Sequence, residues 1–183
     1  MKNLTLDDIS AAVNKDVFVQ DYSKKPVIEG VKIVEVKRFN GEDGTFEDLV
    51  RVNNKGFMEL FPEVQIRQIN RSKLLPGAIK AWHLHFSQED VWYVPPEDHM
   101  VLGLWDTREG STTKDITMKV VMGNGVSKVV LVPRGVAHGV VNLASTAGDI
   151  LYFVNNQFNI ADPDERRLKW DAKGAHFWDG ERG

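Results

Sequence analysis

The sequence predicts an all-β protein, a sandwich or barrel of short strands. Three observations carry that expectation. β-Branched and aromatic residues gather in short runs; Gly, Pro, Asn or Asp closes each run about every 10 residues; and apolar residues within the runs alternate instead of recurring at helical spacing. At 183 residues the chain is expected to fold as one domain, long enough to bury close to ~70% of its unfolded surface without disulfides or a structural metal.

Residues 1–30 read as an N-terminal helix and arm. Thr5 can cap a helix over 5–14, with Asp8 three residues on and Leu6, Ile9 and Val13 at helical spacing. Residues 31–178 read as the β domain, and 179–183 as a tail. "GVKIVEVKRF" is rich in β-branched residues, and "GEDGTF" at 41–46 is a turn. "EVQIRQI" alternates Val64 and Ile66 with Gln65 and Arg67. "GAIKAWHLHF" alternates Ile79, Ala81, His83 and His85 with Lys80, Trp82, Leu84 and Phe86. "DVWYVPP", "HMVLGLWD", "ITMKVVMG", "SKVVLVP" and "DILYFVNN" follow as further strands. Residues 162–183 form a polar segment with two tryptophans, expected to make a short helix or turn and then wrap on the body.

Composition narrows the function classes. The net charge of −3 and the lack of a basic stripe argue against a nucleic-acid partner. With no cysteine, disulfides, thiolate metal sites and thiol nucleophiles are excluded. The amphipathic N-terminus has no apolar signal-peptide core, and no run approaches a membrane span. A cytoplasmic protein with no membrane partner is the expectation.

The chemistry is concentrated in "WHLHFSQEDVWYV", residues 82–94. Strand alternation points His83 and His85 to one face and Trp82, Leu84 and Phe86 to the other, and it sends Lys80 to the face opposite His83. Imidazoles beside carboxylates in an apolar run need a hydrogen-bond network, a metal ion or a catalytic duty. A second piece, "VPRGVAHGVVN" at 132–142, turns at Pro133 and Gly135 and brings His138. Together they read Gly77–x5–His83–x–His85–x3–Glu89 and Pro133–x–Gly135–x2–His138–x3–Asn142. These spacings resemble the two signature motifs of the cupin superfamily. That resemblance implies a jelly roll (a double-stranded β-helix) whose lumen holds these side chains. His83, His85, Glu89 and His138 would be the ligands if it binds Zn, Fe, Mn or Ni. His99 and His176 lie outside the pattern and are expected on the surface or in the tail.

Five blocks in order resemble one cupin family more closely, the dTDP-4-dehydrorhamnose 3,5-epimerases. The blocks are "FNGEDGTFEDL" (39–49), "QINRSKLLPGAIKAWH" (68–83), "GLWDTREGSTT" (103–113), "VPRGVAHGVVNL" (132–143) and "YFVNNQFNIADPDERRLKWD" (152–171). The resemblance implies an isomerase acting on a nucleotide-linked 4-keto-6-deoxy sugar in surface-polysaccharide synthesis. A proton α to the ketone leaves on one face and returns on the other. Such chemistry needs a base, an acid opposite it and stabilisation of the enolate. Carried over by position, His83 is the base, Tyr152 the acid, and His138 assists. Gln68, Asn70, Lys80, Glu47 and Asp90 are the candidate substrate contacts. No cofactor is expected on this reading. A homodimer is, with a strand from the region of residues 31–50 crossing to the partner.

The sequence departs from the family pattern at four places. Asp43 stands for a phosphate-binding arginine, Asp90 for a lysine that helps the enolate, and Phe158 for a tyrosine. The Ser-x-Lys-Asp segment that supplies an aspartate to the histidine base has no counterpart, and Glu89 or Asp90 is the candidate substitute. Two other readings stay open: a divalent-metal cupin enzyme (isomerase or dioxygenase), and a sugar-binding relative without turnover. Trp92, Trp105, Trp170 and Trp178 are candidates for stacking on a base or sugar, with core or interface packing the alternative.

Overall fold

The computed structural model describes residues 3–180. Residues 1–2 of the expected arm and 181–183 of the expected tail lie outside them. The N-terminal helix is shorter than expected: a 3-10 turn at Leu6–Asp8 and one α-turn at Ala11–Asn14. The Asp8 carboxylate accepts the Thr5 N–H at 2.8 Å and the Thr5 hydroxyl at 2.9 Å. Leu6 and Val13 are both more than half exposed, however, so no buried apolar face sustains a longer helix.

Twelve strands follow among the described residues: β1 (Lys32–Glu35), β2 (Arg38–Gly41), β3 (Gly44–Glu47), β4 (Gln68–Leu74), β5 (Ile79–Leu84), β6 (Asp90–Tyr93), β7 (His99–Asp106), β8 (Thr117–Gly123), β9 (Lys128–Val132), β10 (Val136–Asn142), β11 (Gly148–Val154) and β12 (Arg166–Arg167). One five-stranded sheet runs β1-β9-β6-β11-β4, the other β12-β5-β10-β7-β8, and β2-β3 is a separate hairpin. The crossing order is that of a jelly roll.

Alternation builds three apolar layers. Between the sheets, Trp92, Val130 and Ile150 of the first meet Met100, Leu102, Leu104, Val120, Met122 and Val140 of the second. The opposite faces of β6, β9 and β11 carry Val91, Tyr93, Val129, Leu131 and Phe153, which are covered by Met58, Phe61 and Val64. The outer face of the second sheet carries Trp82, Val101, Ala137 and Val141, covered by the C-terminal tail through Phe177 and Trp178. Trp82 is wholly buried, with ring centroids 4.7 Å from Trp178 and 5.0 Å from Phe177. Truncating such a side chain to alanine costs about 3–5 kcal/mol.

The end of β7 is knotted by Asp106, which is fully buried. Its carboxylate accepts from Arg108 Nε and Nη2 (both 2.8 Å), Ser111 Oγ (2.6 Å) and Thr113 Oγ1 (2.7 Å). Burial alone would raise this carboxyl; the Arg108 guanidinium and the two hydroxyls outweigh it and hold it far below the ordinary range.

Candidate active site

The site is opened by an irregularity in one strand pair. His138 on β10 faces His83 on β5, but Val140 faces Lys80, so two steps along β10 match three along β5. This bulge turns Lys80 and His83 to the same, inner side, although strict alternation sends them to opposite faces. Gly139 permits the close approach: a Cβ there would lie 2.4 Å from the Ala81 Cβ. The bulged pair borders a pocket of about 380 Å³, a size suited to a small molecule. Gln68, Asn70, Ser72, Lys80, His83, His85, Gln88, Asp90, Trp92, His138 and Tyr152 all line it.

His83 has both ring nitrogens engaged. Arg167 Nη1 donates to Nε2 at 2.9 Å, and Nδ1 lies 3.2 Å from Glu165 Oε1. A guanidinium only donates, so Nε2 holds the lone pair and Nδ1 the hydrogen. The imidazole is therefore neutral. Burial chiefly, then the facing His138 and Arg167, lowers its pKa to about 3. Glu165 and Arg167 arrive on the returning tail, whose β12 pairs Arg167 with His83.

Across the pocket, on the other sheet, Tyr152 on β11 shares a 2.8 Å hydrogen bond with Ser72 on β4. Lys80 Nζ donates to the same Ser72 oxygen at 3.3 Å, which links a cation to the phenol through one hydroxyl. Gln68 Nε2 donates to Asn70 Oδ1 at 2.7 Å, and the Phe158 N–H donates to Gln68 Oε1 at 2.9 Å. Phe158 itself lines the pocket.

At the pocket floor sit His85, Asp90 and His138, all buried. His138 Nδ1 donates to the Val136 carbonyl at 3.0 Å, and His85 Nδ1 donates to the Asp164 carbonyl. Asp164 also accepts the backbone N–H groups of Phe86, Ser87 and Gln88, which fixes the loop after β5. Asp90 Oδ1 accepts from Gln88 Nε2 (2.8 Å) and Oδ2 from Trp92 Nε1 (3.0 Å).

Most residues expected from the sequence meet here: His83, His138, Tyr152, Gln68, Asn70, Lys80 and Asp90. Two do not. Glu47 is turned to the outside of the first sheet, where Oε2 accepts from Tyr93 (2.6 Å) and Ser127 (2.7 Å). Glu89 leaves the expected ligand set: Oε2 accepts from Asn155 at 3.2 Å and Oε1 lies 3.9 Å from Arg134. Alternation explains it, because Asp90, not Glu89, shares the inward face with Trp92. His83 is likewise engaged by Arg167 and Glu165 instead of facing a common ligand point with His85 and His138. Of the tryptophans, Trp92 lines the pocket, Trp105 and Trp178 belong to the outer layer, and Trp170 is half exposed. His176 is on the surface, and His99 lies on β7 away from the pocket.

Glu165, Arg167, Ser72 and Gln88 were not singled out by sequence. Glu165 sits in the expected late block, but a two-residue strand in a polar stretch has no periodicity to announce its partner.

Residues 25–178 match the family described as dTDP-4-dehydrorhamnose 3,5-epimerase. The chain is 37% identical over 156 residues to the spore coat polysaccharide biosynthesis protein SpsL of Bacillus subtilis, covering 85% of this chain and 99% of that one. Among solved structures, the dTDP-4-dehydrorhamnose 3,5-epimerase of Elizabethkingia anophelis is similar at a TM-score of 0.68 and 26% identity, over 86% of both chains. The epimerase RmlC of Legionella pneumophila, in complex with dTDP-4-keto-L-rhamnose, is similar at 0.70 and 22% identity, over 84% of this chain and 81% of that one.

Proposed function

The chain belongs to the dTDP-4-dehydrorhamnose 3,5-epimerase family, and from that premise we propose that it inverts carbon centres beside the ketone of a nucleotide-linked 4-keto-6-deoxy sugar, with His83 as base and Tyr152 as acid. The observation that carries this reading is placement: His83 stands on one sheet and Tyr152 on the facing one, with the pocket between them. A sugar ring held there presents opposite faces to the two groups, which is what inversion by proton removal and return requires.

The steps follow from the geometry. Neutral His83 can accept a proton at Nε2 once Arg167 releases that nitrogen. Glu165 then faces the charged imidazolium and keeps the Nδ1 hydrogen in place, so it is a positioning residue. It supplies from the tail the support for which Glu89 or Asp90 was the candidate. Tyr152 returns a proton on the far face, and Lys80, acting through Ser72, places positive charge beside the phenolate that remains. Arg167, more than half exposed at the pocket rim, is suited to take up the diphosphate as it leaves His83. Gln68, Asn70 and Phe158 are suited to contact the sugar and base. The overall change is redox-neutral and needs no redox cofactor.

The Legionella relative's complex with dTDP-4-keto-L-rhamnose and the spore coat relative's role in polysaccharide synthesis support the substrate class and the setting. A homodimer is part of this reading, supported by the exposed apolar pair Phe39 and Phe46 on the β2-β3 hairpin. A cytoplasmic location is part of it too; no described helix is long and apolar enough to cross a membrane. The test is incubation with dTDP-4-keto-6-deoxyglucose, followed by proton couplings around the product ring. Inverted couplings at C3, C5 or both are expected, and unchanged substrate with folded enzyme would contradict the proposal.

A further inference from the structure

We propose that His85, Asp90 and His138 form a binding site for one divalent first-row transition metal at the floor of the pocket. Hydrogen-bond logic carries it. A backbone carbonyl can only accept, so His85 and His138 must each carry a hydrogen on Nδ1 for Asp164 and Val136. In the neutral rings both Nε2 lone pairs are then aimed at one carboxylate oxygen, Asp90 Oδ2, from 4.0 and 3.4 Å. Three electron-rich atoms converge in a buried place. The His138 Nε2 has no hydrogen-bond partner there, and the amide of Gln88 offers His85 Nε2 only a 3.4 Å contact.

Two things can resolve this: a proton on His138 Nε2, or a cation among the three atoms. The spacing favours the cation. A charge-assisted N–H···O bond closes to about 2.7–2.9 Å, whereas His138 and Asp90 stand at 3.4 Å. Around a tetrahedral ion with bonds of about 2.0–2.1 Å, neighbouring ligand atoms sit about 3.3–3.4 Å apart. The three ligand atoms all lie within 4.8 Å of one another, and closing the His85 gap takes roughly half an ångström. The surroundings are those of a metal site. Each imidazole is oriented by an Nδ1–H to a carbonyl, and the carboxylate is held by Gln88 and Trp92. Two imidazoles and a carboxylate suit zinc, iron(II), manganese or nickel, and the pocket supplies the open position.

The consequence for catalysis, though not the binding itself, rests on the proposed epimerase reading. Asp90 stands where the family pattern has a lysine, so without a counter-ion the floor would present negative charge toward an enolate. A bound cation reverses that sign.

The test is made on the untagged chain purified without chelator or affinity nickel, in the absence of any sugar. Elemental analysis should find about one zinc, iron, manganese or nickel per chain. After chelator dialysis, cobalt(II) should return at the same stoichiometry with the visible bands of a low-coordinate site. Asp90→Asn and His138→Gln, checked for folding by circular dichroism, should weaken cobalt binding by more than about 100-fold. His83→Asn should bind as the parent does. If the variants unfold, nitrogen NMR of the parent imidazoles decides: metal shifts at both Nε2 atoms support the site. Hydrogens on both nitrogens of His138, no cobalt uptake, or uptake unchanged in His138→Gln would overturn it. A chain that binds cobalt yet inverts no sugar keeps the metal site and removes the epimerase reading. An active chain that binds none removes the metal site alone.

Discussion

His83 is held from two sides, and the two partners have separable roles. His83→Asn should lower turnover by about 10²–10⁴-fold, the range of a lost general base, with an unchanged circular dichroism spectrum. Glu165→Ala should act differently. It leaves the base in place but frees its Nδ1, so kcat should fall by about 10–100-fold while KM moves little; Glu165→Asp should recover part of the loss. Equal effects on kcat and KM would assign Glu165 to binding. Tyr152→Phe separates the two half-reactions: inverted product should fall by about 100-fold while exchange of the abstracted proton with solvent continues. At this scale alternation gave the shared face of His83 and His85, while the expected places of His138 and Tyr152 came from the likeness of their blocks to the family; all four line the pocket. Lys80 lines the pocket, as the family resemblance implied, but strict alternation sent it to the wrong face, because a bulge between β5 and β10 breaks that alternation. Glu47 lies outside the pocket, against Tyr93 and Ser127, because the likeness of its block to the family carries no information on which sheet face it meets.

The C-terminal tail does two jobs at the scale of elements. It seals the outer face of the second sheet, and it carries Glu165 and Arg167 back to His83 through β12. Gly103 on β7 is the seat of that seal: a Cβ there would fall 2.6 Å from Phe177 and 2.7 Å from Trp178 ring atoms. Gly103→Ala should cost about 1–3 kcal/mol through overpacking, expose the tail to limited proteolysis, and reduce activity through the displaced Glu165. Lost stability with an undiminished kcat would separate the tail from the site. The β7 hairpin gives a pH prediction. Asp106 has a depressed pKa in the folded chain, so its stabilising contribution is complete above the unfolded value of about 3.9 and is lost as pH falls below it. The melting temperature of the parent should therefore fall more steeply between about pH 5 and pH 2 than that of Asp106→Asn, and parallel curves would contradict this. Most strands were readable from their β-branched runs, but β4 begins where the expected "EVQIRQI" strand ends, and residues 41–46, expected as a turn, belong mostly to the β2-β3 hairpin. The N-terminal helix was over-read, because its spacing is helical but nothing packs on it.

At the scale of the whole molecule, the jelly roll places His83 and Tyr152, the proposed base and acid, on facing sheets, and the bulge and the returning tail finish the pocket between them. The jelly roll was implied by the resemblance of the histidine, Pro133 and Gly135 spacings to the cupin motifs, while the order of the strands in each sheet came only with the structure. The pairing of a two-residue strand with β5 was not implied either, since long-range pairing of a polar segment leaves no local signature. The central claim is that His83 removes a proton from carbon beside a ketone. The most direct measurement is deuterium entry into dTDP-4-keto-6-deoxyglucose in heavy water, followed by mass spectrometry and NMR. Deuterium at C3, C5 or both with the parent chain, and none with His83→Asn, is the predicted result. A folded parent chain that binds the nucleotide sugar and admits no deuterium would contradict the account.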